Sequence, residues 1–341
     1  MIEINETRIS SLNYHRICND DNRLFVSNYL YNFESEDEEI LKKIFLKPFL
    51  ASSVTYEFKH DIDLELNPLF KISQSIYNGE DFKTKSQQVY QHLKTSSKHP
   101  NIKDGDLFIV KYDDIKLNGA YYEALGIYKI ENKENFIETN TDNDNNISLQ
   151  FKKGIGGRKL DKACLILFSD EPYTIFIIDN GSIETDYWKN DFINVVYKND
   201  FINNTNHFLA LTKSFITNEN AHQFEISKAD QVDLLNKSVK FFKEKDNFEL
   251  NEFANDVLGK PDMINSFNKY KSDYQKELAI EIADNFIISD LAVKKQARSI
   301  KSIIKLDKNF HIYVHGSREL IEQGVDEEGR KFYKIYYKEE S

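Results

Sequence analysis

Two apolar stretches near the middle of the chain constrain its fold more than any other feature. Ala163–Phe168 and Tyr173–Ile178 are separated by the turn-forming sequence Ser-Asp-Glu-Pro at 169–172. Short runs that are rich in β-branched residues and bounded by turn signals are typical of buried β-strands. We therefore predict two neighbouring strands here, which form a rigid, buried support for the sequence that precedes them.

A basic, glycine-rich sequence leads into the first of these strands. Glycine at three of the four positions 154–157 allows φ > 0 and a close approach of the backbone to another molecule. Backbone N–H groups flanked by cations hold phosphates without reading bases. The predicted binding residues are Lys152, Lys153, Gly154, Gly156, Gly157, Arg158, Lys159 and Lys162. The alternative is an ordinary β-turn whose lysines are only solvated.

The same sequence does not fit a nucleotide-binding loop. Lys159 occupies the place of the third glycine of a dinucleotide fingerprint, and no Gly-Lys-Ser/Thr follows. A zinc site is also incomplete, because His15 and Cys18 lack further ligands, and His15 is expected to pack on a strand. We therefore predict no cofactor and no metal.

A second cluster of cations lies near the C-terminus, with no acid between Leu291 and Leu306. We predict a helix to about Ala297 and a strand after it, and either structure gives a basic surface. The alternative is a solvated face that is balanced by acids elsewhere in the fold. The predicted binding residues are Lys294, Lys295, Arg298, Lys301 and Lys305.

The remaining patterns predict an α+β protein with a sheet-rich N-terminal domain, a helical middle part and a short C-terminal β meander. Residues 1–33 and 106–138 are typical of strands, and helices are predicted at 35–47 and 80–96. After about residue 206 the apolar period becomes helical, and from Arg298 it returns to two. We predict a mixed α+β domain with an antiparallel sheet at 1–205. The predicted second domain, 206–341, is helical and ends in a small β element.

Composition narrows the class of protein. The chain has 341 residues, of which 40% are hydrophobic and 30% charged. No apolar run approaches the roughly 20 residues of a membrane span, and residues 1–25 are too polar for a signal peptide. Two cysteines fit a reducing compartment, so we expect a cytoplasmic protein with no membrane partner. The net charge of -11 disfavours polyanion binding unless positive charge is concentrated locally.

Three segments of the chain carry a family resemblance. They are FKKGIGGRKLDKA at 151–163, HPNIKDGDLFIV at 99–110 and VKKQARSIKSIIKLDKNFHIYVHG at 293–316. Together they resemble the bacterial nucleoid-associated protein family of NdpA/YejK-like proteins, over most of the chain. The resemblance implies a cytoplasmic protein of the nucleoid that binds double-stranded DNA and has no established catalytic residues. We therefore predict a non-enzymatic protein that contacts backbone phosphates with little sequence specificity.

Two other functions stay open from the sequence. Asp114 with Glu131 and Lys133 has the Asp…Glu-x-Lys order of metal-dependent nucleases, in which carboxylates hold Mg²⁺. The helical part from about 226 to 290 is the alternative candidate, as a protein-interaction scaffold whose association with DNA is indirect. The many aromatic residues also allow a homodimer. The sequence indicates neither a preferred DNA nor a physiological process.

Overall fold

The computed structural model describes most of the chain. The described residues are 2–18, 25–97, 102–141, 147–157, 159–180, 187–218, 224, 226–300, 303–314 and 318–339. They form two compact units, Met1–Lys198 and Asn199–Ser341. The elements are mixed helices and antiparallel strands, so the predicted α+β class is confirmed. The domain boundary predicted after residue 205 stays a prediction.

The first unit is built on an antiparallel sheet of nine strands. In chain order the unit's strands are β1 (Ile2–Glu3), β2 (Arg8–Ile17), β3 (Phe25–Val26), β4 (Tyr56–Phe58), β5 (Gly105–Leu117), β6 (Ala120–Ile130), β7 (Glu134–Thr141), β8 (Ile147–Gly154), β9 (Lys162–Leu167), β10 (Thr174–Asp179) and β11 (Val195–Tyr197). The sheet order is β11-β4-β10-β9-β6-β5-β2-β3, and β1 also pairs with β5. Strands β7 and β8 form a separate two-stranded sheet.

The centre of the sheet matches the apolar stretches of the sequence. All six residues of β9 are buried, and β9 pairs with β10 through positions such as Ile166 and Ile175. On its other side β9 pairs with β6, where Ile127 lies opposite Cys164. The two predicted strands are therefore confirmed. Strand β9 is the buried strand that directly follows the basic sequence containing Lys159.

Helices cover both faces of this sheet. They are α1 (Ser35–Phe45), α2 (Pro68–Tyr77) and α3 (Phe82–Ser96). Successive residues of a strand face opposite sides, so Ile109 packs with α2 and α3 while Val110 packs with α1. The Phe45 ring lies 4.3 Å from the Tyr128 ring on the α1 side. Asp81 starts α3 by accepting a hydrogen bond from the Thr84 N–H.

The second unit is helical with short hairpins. Its helices are α4 (Phe201–Thr217), α5 (Lys228–Glu244), α6 (Leu250–Phe253), α7 (Pro261–Leu278) and α8 (Asp290–Ser299). Its hairpins pair β12 (Asn247–Glu249) with β13 (Asn285–Ile287), β14 (Ile303–Leu306) with β15 (Phe310–Tyr313), and β16 (Ile321–Val325) with β17 (Lys331–Ile335). The core is aromatic: the Phe208 ring lies 4.2 Å from that of Phe248 and 4.9 Å from that of Phe253.

Some local predictions differ from the structure. Leu24–Phe33 was expected to be a strand, but only Phe25–Val26 pairs among its described residues. Between β10 and α4 the described chain forms a π-helix at Trp188–Ile193 followed by β11, and residues 181–186 lie outside the described residues. The asparagine-rich run 203–206 lies inside α4, because the Asp200 carboxylate caps that helix. No helix in the described ranges is both long and apolar enough to cross a membrane.

Candidate nucleic-acid interface

The predicted basic turn is the junction between an exposed hairpin and the central sheet. We call the hairpin of β7 and β8 the arm. Lys152, Lys153 and Gly154 are the last residues of β8, so they lie at the base of the arm. Residues 155–157 then lead out of the arm, and Lys159 precedes β9. Arg158 lies outside the described residues.

Gly154 and Gly156 serve close packing rather than a left-handed turn, and Gly157 has open space where a side chain would lie. None of Gly154, Gly156 and Gly157 has a φ in the left-handed range, so that part of the prediction is corrected. A Cβ on Gly154 would lie 2.7 Å from the Phe136 ring, and one on Gly156 would lie 2.5 Å from a carboxylate oxygen of Glu134. A side chain at either position would therefore displace the Phe136 ring or the Glu134 carboxylate of the opposite strand.

The four described lysines of this region have different environments. Lys153 and Lys159 are exposed and pair with no carboxylate in the described part of the chain. Lys152 is also exposed but forms an ion pair with Glu138 across the arm. Lys162 is buried, and its Nζ lies 2.6 Å from a carboxylate oxygen of Asp179. The structure thus corrects Lys162 from a surface contact to an interior one.

Asp161 holds the junction together. Its Oδ2 accepts hydrogen bonds from the backbone N–H groups of Glu131 at 2.8 Å and Asn132 at 3.0 Å. Its Oδ1 accepts from the Asn132 amide at 2.7 Å. The start of β9 is therefore tied to the chain between β6 and the arm. Sequence reasoning assigned no role to Asp161, because its partners lie about thirty residues earlier in the chain.

A buried lysine supports the same junction from below. The Nζ of Lys129 donates to Glu131 at 2.7 Å, to the carbonyl oxygen of Lys103 at 2.7 Å and to the Tyr187 hydroxyl at 3.2 Å. Burial lowers the pKa of Lys129, and the Glu131 carboxylate opposes that effect. Lys162 lies over the same Tyr187 ring, 5.0 Å from its centroid. Sequence reasoning missed Lys129, whose signal is a lysine in an otherwise apolar strand.

A cleft of about 500 Å³ lies beside Lys153. Its charged lining is balanced between three acids and three cations: Asp104, Asp106, Glu131, Arg16, Lys133 and Lys153. Burial alone would raise the pKa of Asp106. Hydrogen bonds from Lys133 and Tyr14 outweigh burial and hold that pKa below its ordinary value. The Asp106 carboxylate is therefore a charged partner for these side chains rather than a proton donor.

The second cluster lies on α8 and β14. Ser289 caps α8, and the helix buries Ala292 and Val293. Its other side exposes the three cations Lys294, Lys295 and Arg298, and Lys305 is exposed on β14. None of these four forms an ion pair with a described carboxylate. Lys301 lies outside the described residues.

The residues of the nuclease alternative are not brought together. Asp114 lies near the end of β5, at φ 60°, and pairs with Arg8 at 2.9 Å. Glu131 follows β6 at the opposite end of the same ladder, where Ile130 pairs with Asp106. The ladder between the two carboxylates is about 25 Å long at the rise of a β-strand. Within the described residues no three potential metal-binding side chains form a cluster.

These features define an α+β protein with exposed cations at two places and no clustered metal ligands among its described side chains. The family model described as "Nucleoid-associated protein YejK" matches residues 14–331. The chain therefore belongs to this nucleoid-associated protein family, which confirms the resemblance seen in the sequence. No curated protein matches the chain.

Proposed function

We propose that this protein binds double-stranded DNA in the bacterial cytoplasm as a non-enzymatic component of the nucleoid. It contacts backbone phosphates and has little preference for base sequence. The arm-base surface, defined as Lys152, Lys153 and Lys159, makes the first contact, with Arg158 beside it in sequence. The α8 surface, defined as Lys294, Lys295, Arg298 and Lys305, makes the second.

The observation that carries this proposal is the absence of neutralising partners. Of the arm-base surface, Lys153 and Lys159 have no ion pair with any carboxylate that the structure describes. The same is true of all four cations of the α8 surface. An exposed cation with no partner is free to displace counterions from a phosphate, whereas an internally paired one would first lose its carboxylate.

The number of such cations sets the affinity that they can supply. Each phosphate contact contributes a slope of about -0.9 to the plot of log K against log salt concentration for duplex DNA. If the six unpaired cations of these two surfaces all contact DNA, the slope is roughly -5 and the affinity is micromolar near physiological salt. That strength suits a protein that coats DNA, and it supplies no base specificity.

A salt titration of duplex binding tests the proposal. We expect Lys153→Ala with Lys159→Ala to make the slope shallower by about 2 units and to weaken binding on the order of 50-fold near 0.1 M salt. The matched control is Lys237→Ala with Lys240→Ala, which changes the net charge equally. Those lysines form ion pairs with Asp233 and Glu244 on α5. Fluorescence anisotropy of a labelled duplex measures both variants.

Two results would contradict the proposal. If the control and the arm-base variant lose affinity equally, the loss is an effect of net charge on DNA binding, and the arm-base surface is not the contact. If the wild-type protein does not bind duplex DNA even at low salt, the protein-interaction scaffold becomes the better interpretation. Nicking of plasmid that requires Mg²⁺ would contradict the non-enzymatic part.

A further inference from the structure

The arm has two chemically different faces. Its strands pair Ile137 with Phe151, Thr139 with Leu149, and Thr141 with Ile147. Cross-strand partners lie on the same side of a hairpin, so these six side chains form one face that is almost wholly apolar. The opposite face carries Glu138, Asn140, Ser148, Gln150 and Lys152, with Phe136 near its base.

The apolar face of the arm is exposed. The exposed fractions are 56% for Ile137, 73% for Ile147, 55% for Leu149 and 79% for Phe151. None of these four side chains belongs to a hydrophobic cluster of the described chain. Their combined exposed area is on the order of 500 Å², which equals the largest apolar patches on ordinary monomers.

An isolated hairpin of this kind has little stability in water. A two-stranded sheet is marginal unless its apolar face packs against something, and β7 and β8 pair only with each other among the described strands. Alternation of apolar and polar side chains over both strands is typical of a sheet that packs one face against another surface and leaves the other in water. The covering surface must itself be apolar and about as long as the arm.

We propose that a second copy of this chain covers the arm, with the two apolar faces packed against each other. Two such faces remove on the order of 1,000 Å² from water, which reaches the lower limit of specific protein interfaces. The face is its own complement, as a two-fold symmetric contact requires. The one charged described residue on this face is Lys153, which lies at its base end, so the four apolar side chains can pack against each other without burying a carboxylate.

DNA is the less suitable occupant of this face. A β-ribbon enters the major groove, but it reads and holds DNA there through polar and cationic side chains. The apolar face has no cation between Ile137 and Ile147. The sequence that joins the two strands carries Asp142 and Asp144 and neither lysine nor arginine at 142–146. Negative charge at that end repels phosphates.

Sedimentation equilibrium of the full chain without DNA tests the proposal. We expect the wild-type protein to have twice the mass of one chain, and Leu149→Asp with Phe151→Asp to have the mass of one chain from about 1 to 100 μM. That corresponds to at least 100-fold weaker association. The matched control, Ser148→Asp with Gln150→Asp, adds the same charges to the polar face of the same strand and should remain a dimer.

Thermal unfolding keeps this comparison interpretable. The arm lies outside the hydrophobic cores, so both aspartate variants should stay folded, and the apolar-face variant should lose only the stability that association supplies. If the apolar-face variant unfolds early, Ile147→Ser with Phe151→Ser replaces it and should also be monomeric. A wild-type protein that stays monomeric throughout overturns the proposal, and so does an apolar-face variant that associates like the control. A monomeric wild type whose DNA affinity falls only in the apolar-face variant overturns it as well and assigns the face to DNA.

Discussion

The carboxylate of Asp161 lies among lysines in the sequence but accepts its hydrogen bonds from the backbone of Glu131 and Asn132. Those N–H groups lie between β6 and the arm, where no ladder partner satisfies them, so the carboxylate supplies the missing acceptor. The Asp161 carboxylate therefore accepts its hydrogen bonds from Glu131 and Asn132 and forms no ion pair with Lys159. One residue thus fixes the base of the arm and leaves the positive charge beside it available to a ligand.

Alanine variants of Lys162 and Lys159 should affect stability and DNA binding separately. We expect Lys162→Ala to lower the free energy of unfolding by about 2 kcal/mol, because it removes the Asp179 ion pair and leaves a void under Tyr187. The salt slope of DNA binding should not change, since Lys162 is only 2% exposed. Lys159→Ala should make the salt slope shallower and leave the free energy of unfolding unchanged.

Urea unfolding and the salt titration together measure the two lysine variants. The prediction for Lys162 would be wrong if its replacement made the salt slope shallower while the unfolding midpoint stayed at the wild-type value. That result would mean that the side chain leaves Asp179 and reaches the DNA.

His15 makes stability depend on pH. Burial lowers the pKa of this histidine from 6.5 to about 4, and its Nδ1 accepts a hydrogen bond from the Ser27 N–H at 3.2 Å. Because the unfolded chain keeps the higher pKa, it takes up the proton first as the pH falls below 6.5. Stability is therefore lost between pH 6.5 and 4, by about 3 kcal/mol for this group.

Chemical unfolding at a series of pH values tests the histidine. His15→Asn keeps a hydrogen-bond acceptor but does not titrate, so the loss of stability between pH 6.5 and 4 should shrink by that amount. His311→Asn is the matched control, because His311 is exposed on β15. An unchanged pH profile in the His15 variant would contradict the assignment.

At the level of elements, the sequence was most accurate for strands that are buried within the chain's own core. Strands β9 and β10 were found almost at their observed ends, because a continuously buried strand needs a continuous apolar run. Only part of β7 lay within the range predicted to be strands, 106–138, and β8 was not predicted. Alternating side chains look the same whether the apolar side faces its own core or another molecule, so the departure of β7 and β8 from the main sheet was not predictable.

The basic junction shows the same division between local and distant causes. Glycine is selected either for φ > 0 or for its missing Cβ, and sequence does not distinguish the two. Here the deciding neighbours, Phe136 and Glu134, come from the opposite strand. Lys159 and Lys162 are equally basic in sequence, and only the position of Asp179 on β10 decides that the second is buried.

At the scale of the whole molecule, net charge and local charge point in opposite directions. The chain has 56 acids and 45 lysines and arginines, which gives the net charge of -11. Many lysines pair with acids within their own element or across a hairpin, as Lys237 does with Asp233 and Lys152 with Glu138. Six of the exposed cations that have no described ion pair lie at the arm base and in the α8 surface, and others, such as Lys260 and Lys276, lie elsewhere. Under the proposed function, the long-range field slows the approach of DNA, and short-range contacts with the exposed cations must hold it.

The two surfaces belong to different units, and a combination of their variants tests whether one duplex contacts both. Lys294→Ala, Lys295→Ala and Arg298→Ala should make the salt slope shallower by roughly 2.7, and addition of the arm-base changes should bring the loss to between 4 and 5. Additive losses on one duplex, at a constant stoichiometry, are expected if both surfaces act together. If each surface binds its own duplex, the α8 variant retains the slope of the arm-base surface and binds half as much DNA. Replacement of Lys294 and Lys295 by arginine is the control, because it preserves the charge and should leave the slope unchanged.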